Sequence, residues 1–146
     1  MDIHLTHLLN LSGILVETCS HLEDSICFQV GYITSGIACP HCHNYTEELH
    51  QVRAILVRDL SAFGKNVYLK VPRRQFYCCQ CQRYSTERLE SIDCTRRHTK
   101  RYEVAVYEQV KKSSIEQVSR DERISADEVR GIFNQVALQL KKTGVK

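Results

Sequence analysis

The sequence predicts an α+β protein, and three features carry that prediction. Over the first hundred residues, β-branched and aromatic residues alternate with polar ones between turn formers, the pattern of half-buried strands. From about residue 99 the apolar residues recur every three or four positions, the period of a helix. Two Cys-x-x-Cys pairs, Cys39/Cys42 and Cys78/Cys81, bracket the middle of the chain. These features divide the 146 residues into an acidic α/β element with a small β-hairpin over residues 1–37, a cysteine-bounded ribbon over 38–92 and a helical segment over 95–146.

Each element has its own signature. Ile3, Leu5, Leu8 and Leu9 suit a short helix that Gly13 interrupts, and residues 14–19 and 26–32 read as an outgoing and a returning strand. Between the cysteine pairs, residues 51–56 and 67–71 read as strands, joined by a loop over 59–66 that turns at Gly64. Pro72 has no amide N–H to give a ladder, so it confines the second strand to an edge or ends it. Tyr102, Val106 and Val110 make the apolar stripe of a helix over about 99–112. Ser114-Ile115-Glu116-Gln117 and Ser125-Ala126-Asp127-Glu128 are both capping boxes, in which the serine takes the N3 amide and the N3 side chain reaches back. A short helix to about residue 120 follows the first box. The helix after the second carries Val129, Ile132, Phe133, Val136 and Leu140 on one face. Asp127 and Glu128 sit at its positive end, Lys141 and Lys142 at its negative end, and Gly144 terminates it.

Composition narrows the function classes. With 42% hydrophobic and 25% charged residues the chain has the make-up of a soluble folded protein. No apolar run approaches the roughly 20 residues that span a bilayer. Met1-Asp2-Ile3-His4 lacks the basic start of a secretory signal, so a cytoplasmic location and no membrane partner are expected. Six acids and no Lys or Arg precede Arg53, whereas the segment from Arg53 onward holds all 20 bases and 11 acids. Such a reversal marks either a polyanion-binding half or a solvated basic face.

In a reducing compartment the eight cysteines do not form a disulfide framework. Two residues between cysteines let one tight turn present both sulfurs to one ion, and two such turns complete the tetrahedron that structural Zn2+ requires. Cys39, Cys42, Cys78 and Cys81 are therefore read as one four-cysteine zinc ribbon, its intervening strands folding back as a hairpin. The spacer of 35 residues exceeds the usual length, but doubling a loop adds only about 0.6 kcal/mol of closure entropy. His41 and His43 compete as ligands, and Cys19, Cys27, Cys79 and Cys94 read as small buried hydrophobes. H-E-x-x-H, G-x-S-x-G, G-x-G-x-x-G and P-loop motifs do not occur, so no catalytic residue is singled out.

Bases stud the ribbon, Arg73 and Arg74 among them, and Arg96, Arg97, Lys100 and Arg101 cluster where the helices begin. Tyrosines interleave with them. Nucleic acid is the natural polyanion, with core tyrosines and solubilising charges as the plainer alternative. Short helix, tight turn and long helix fit a helix-turn-helix, whose second helix enters the major groove of double-stranded DNA. Arg130 would then read guanine and Asn134 adenine; a helical hairpin packed on the ribbon is the rival reading.

The order of features is also familiar. Leu8-Leu9-Asn10-Leu11, a hairpin, Cys-Pro-His-Cys, Val57-Arg58-Asp59-Leu60 with Phe63-Gly64, then Arg73-Arg74-Gln75-Phe76-Tyr77-Cys78 and Thr86-Glu87-Arg88 resemble the N-terminal region of the ISL-three family of insertion-sequence transposases. The resemblance covers most of residues 8–140 and is most specific in the cysteine segment. It implies zinc on the four cysteines, recognition of the element's terminal inverted repeats, and a bacterial, nucleoid-associated setting. In the family a DDE catalytic domain of RNase H-like fold follows. This chain ends near Lys146, where that domain would begin, which implies a truncated or split transposase without catalysis of its own, completed by a separate catalytic subunit or by self-association. A stand-alone regulator and a zinc-stabilised protein adaptor are the alternatives. Two departures stand out: the glycine common after each cysteine pair is His43 or Gln82, and Glu122-Arg123 replaces the usual apolar residue and glycine before Ser125.

Overall fold

The computed structural model describes residues 2–92 and 97–144, so the expectations placed on Cys94 and Arg96 lie outside the described residues. Two long strands organise it: β5 (Leu49–Ala62) and β6 (Lys65–Cys78) form an antiparallel hairpin. The segment expected as a loop from residue 59 is strand as far as Ala62, with a bulge between Asp59 and Ala62 that absorbs the irregularity. The turn is Phe63-Gly64, with φ of 54° and 73°, the paired left-handed conformation that suits the twist of a two-residue hairpin.

A short helix α1 (Ile3–Leu9) precedes the hairpin β1 (Ile14–His21) and β2 (Ser25–Tyr32). β2 then lies parallel to β6, in register from Ser25–Asn66 to Gln29–Lys70. The sheet order is β1-β2-β6-β5, so pairing runs across the boundary expected at residues 37/38 and joins the N-terminal hairpin to the ribbon. A two-stranded unit, β3 (Ile37–Ala38) and β4 (Tyr45–Thr46), carries the first cysteine pair, and β7 (Arg83–Thr86) pairs with the end of β6.

Pro72 does not end its strand, and its surroundings explain why. It sits opposite Ala54 in the interior of β6. Its carbonyl accepts from the Tyr32 hydroxyl, on the side where the β2 ladder has already stopped at Lys70. Amide and carbonyl of one strand residue face the same side, so the missing N–H faces a gap and costs no ladder bond.

The apolar residues form two cores. Leu9, Ile14, Val16, Val30, Val57 and Leu69 belong to the one built on the sheet, closed by Ile92. Tyr102, Val106, Val118, Val129, Ile132 and Val136 fill the other, inside α2 (Lys100–Lys112), α3 (Ile115–Glu122) and α4 (Ala126–Lys142). Thr99, Ser114 and Ser125 cap these helices as acceptors from Tyr102, Gln117 and Glu128 amides at 3.2, 3.1 and 3.1 Å. The return arm of each expected capping box is absent. The Gln117 side-chain amide donates instead to Asp121 at 2.9 Å, and the Glu128 carboxylate meets His98 Nε2 at 2.8 Å.

Between the cores lies a polar joint. The Arg58 amide donates to Arg97 O and the Thr99 amide to Arg58 O, at 2.8 and 2.9 Å, extending the edge of β5 by one short bridge. The guanidinium of Arg101 grips both oxygens of buried Asp59 at 2.8 and 2.5 Å and donates to Leu9 O at 2.7 Å. Against the desolvation of burial, these bonds and the Thr99 hydroxyl hold the Asp59 carboxyl below its ordinary range.

Candidate metal centre and nucleic-acid interface

Each cysteine pair sits in a tight knuckle. The His43 amide donates to Cys39 O and the Gln82 amide to Cys78 O, both at 2.8 Å, so the two turns are built alike. His43 and Gln82 occupy left-handed backbone, at φ of 65° and 57°. Glycine is free there and an L side chain strained, which accounts for the glycine expected after each pair. Gly36 lets the strands before the first knuckle close up, since a Cβ there would lie 2.2 Å from Thr46 O.

The four sulfurs converge, all within 4.8 Å of one another, with Cys39–Cys81 at 3.5 Å and Cys42–Cys78 at 3.4 Å. A tetrahedron with Zn–S arms of about 2.3 Å has edges of about 3.8 Å, so the donor set fits Zn2+ closely. The backbone amide of Cys42 draws the Cys39 thiol down to about 6, and the Asn44 amide lowers Cys42. Both shifts favour the thiolate that binds metal. Desolvation first, then hydrogen bonds from its thiol to the neighbouring sulfurs, push Cys81 up to about 12, and a divalent cation offsets that preference for the thiol. Thus Cys39, Cys42, Cys78 and Cys81 form a structural zinc site, with all four positions filled by protein. His41 turns away to Arg83 at 3.2 Å, and Cys79 is exposed.

The expected DNA-contacting bases fall into different environments. Arg74 is internal: it clasps both oxygens of Glu87 at 2.7 Å, donates to Thr34 O at 2.9 Å and lies 4.0 Å over the Tyr32 ring. Arg101 is committed to Asp59. Neither has its guanidinium free for a phosphate, so both are buttresses where contacts were expected. Arg97 and Lys100 are exposed at the start of α2, and Arg73 lies half-buried on β6. Arg130 and Asn134 are exposed on α4, Arg130 reaching Asp127 at 2.8 Å. Glu128, its side chain 40% exposed, meets His98 Nε2 at 2.8 Å, and Asp127, 94% exposed, remains beside Arg130.

Two family models match in succession: the zinc-finger of transposase IS204/IS1001/IS1096/IS1165 over residues 35–81, and the helix-turn-helix domain of transposase family ISL3 over residues 87–137. The chain carries the zinc ribbon and the helix-turn-helix of ISL3 transposases. It is also similar to the transposase for insertion sequence element IS1001 of Bordetella parapertussis, 33% identical over 82 residues. That match covers 56% of this chain and spans 20% of the relative's length. No solved structure matches. The matched domains are DNA-binding modules and not catalytic ones, and among the described residues no helix is long and apolar enough to cross a membrane.

The ISL3 helix-turn-helix survives its two unusual residues. Arg123 takes the left-handed conformation, φ 58°, where a glycine is expected. Glu122 is not orphaned: its carboxylate accepts from the Tyr102 hydroxyl at 3.0 Å and from Arg58 at 3.4 Å. Arg58, 5% exposed, also donates to Asn66 at 2.8 Å and lies between the rings of Tyr68 and Tyr102, 5.5 and 5.1 Å from their centroids. The sequence signal for this pair was an acid in an apolar slot; its partner, 64 residues away, carried no signal at all.

Proposed function

We propose that this chain is the DNA-recognition part of an ISL3-type transposase, binding the terminal inverted repeats of an insertion sequence through α4 while the zinc ribbon anchors the helices. Strand transfer is assigned to none of its residues. The observation that carries the reading is the outer face of α4, where Arg130 and Asn134 stand opposite the packed Val129, Ile132 and Val136. Glu128 bonds His98 Nε2 at 2.8 Å, while Asp127, 94% exposed, stays on that face and accepts from Arg130 at 2.8 Å. Arg97 and Lys100 supply backbone contacts, and Arg130 and Asn134 supply base contacts.

Retention of labelled terminal-repeat duplex tests this. Affinity should fall steeply between about 50 and 200 mM salt. Arg130→Ala should cost about 1–3 kcal/mol and relax preference at one base pair, whereas Lys100→Ala should weaken all duplexes alike. A zinc-loaded chain that retains no duplex at low salt defeats the reading and favours the protein-adaptor role.

A further inference from the structure

Besides the zinc ligands and α4, one face of the sheet carries side chains that folding leaves unused. Register sets Gln51 opposite Gln75 and Arg53 opposite Arg73, and alternation puts all four on the face that continues into Ile55–Val71 and Val57–Leu69. The apolar pairs are buried in the sheet core, whereas the amide and arginine pairs line an open trough of about 220 Å³ with Thr86. Like charges directly opposite each other weaken a sheet. Even so, neither Arg53 nor Arg73 has an acid partner among the described residues. The acid that borders Arg73, Glu87, has both oxygens taken by Arg74.

Rings adjoin the trough. Tyr77, Tyr84 and His50 form a ladder, with centroids 4.9 and 4.5 Å apart, and Tyr84 is 53% exposed. Tyr84 also borders a second cavity of about 490 Å³ with His41 and Arg88. Unpaired guanidinium groups suit phosphates, free amides suit base edges, and exposed rings suit the flat faces of bases. Base faces are available only where strands are apart, because a duplex shows its grooves edge-on.

From this arrangement we propose that the exposed β5-β6-β7 face binds single-stranded DNA, with bases stacked on Tyr84 and phosphates held by Arg53 and Arg73. The proposal rests on the preceding reading only in choosing DNA over RNA. In an ISL3-type protein such a face would hold a strand that has separated from its complement near the bound duplex.

Fluorescence anisotropy of the zinc-loaded full chain with a labelled oligo-dT of about 12 nucleotides is the test. Binding is expected, weakened about tenfold or more by Tyr84→Ala and by the Arg53→Ser/Arg73→Ser double variant, and kept by Tyr84→Phe. Zinc content and circular dichroism show that each variant is folded, and terminal-repeat duplex binding should be unchanged in both Tyr84 variants. The proposal is overturned if the unaltered chain ignores the oligonucleotide, if the folded variants bind it undiminished, or if Tyr84→Ala loses duplex to the same extent. Tighter binding of the matching RNA overturns the choice of DNA. Duplex bound without oligo-dT sinks this inference alone; oligo-dT bound without duplex sinks the α4 reading alone.

Discussion

The knuckle end of the ribbon and the three-helix bundle achieve cohesion in opposite ways. In β5 all six residues from Leu49 to Ala54 are exposed, and the buried groups nearby are Phe76, Cys39 and Cys78. The bundle seals Tyr102, Val106, Val118, Val129, Ile132 and Val136 from water. One end holds together through four bonds to an ion, the other through packed hydrocarbon. The difference shows what metal ligation provides: strands that need not bury their side chains can offer an open polar face, whereas each inward face of the bundle is consumed by its own stability.

The sharpest way to break that comparison is to remove the ion. Chelation, or Cys78→Ser, should abolish zinc binding, a contribution on the order of 10 kcal/mol to a structural site. Amide exchange should then accelerate through β3, β4 and β7 while α2, α3 and α4 keep their protection. Equal loss of protection in both regions would show that the bundle depends on the ion too.

The joint offers a second, smaller test. Glu122→Leu installs the apolar residue expected in the turn but leaves Arg58 buried without its carboxylate, costing about 3 kcal/mol in denaturant unfolding. Adding Arg58→Leu should recover much of that loss, so the double-mutant cycle reads the coupling of the two regions. Additive effects would mean that ribbon and bundle are stabilised independently. Smallest of all, His43→Gly and Gln82→Gly should each relieve about 1 kcal/mol of backbone strain, seen as tighter zinc retention against chelator with no change in the bundle.

How much of this was legible depended on whether a signal was local. The cysteine spacing, the capping serines and the 3.6-residue stripe each act within a few residues, and the zinc ligands, helix starts and bundle core follow from them. The lengths of β5 and β6 did not show, because polar stretches such as those holding Arg53 and Gln75 lack apolar alternation. Pro72 pointed to a strand end. Only the place where β2 stops pairing reveals that β6 is an edge just there. Arg74 and Arg101 looked like free cations because Glu87 and Asp59 lie 13 and 42 positions away, and no periodicity connects them.

The contact between Arg58 and Glu122 also bears on protein engineering with these modules. A helix-turn-helix transplanted onto this ribbon from another transposase would arrive with an oily residue at that turn and strand a cation beneath it. Any chimera must therefore carry the acid across or neutralise the arginine, so the two modules cannot be exchanged as independent cassettes.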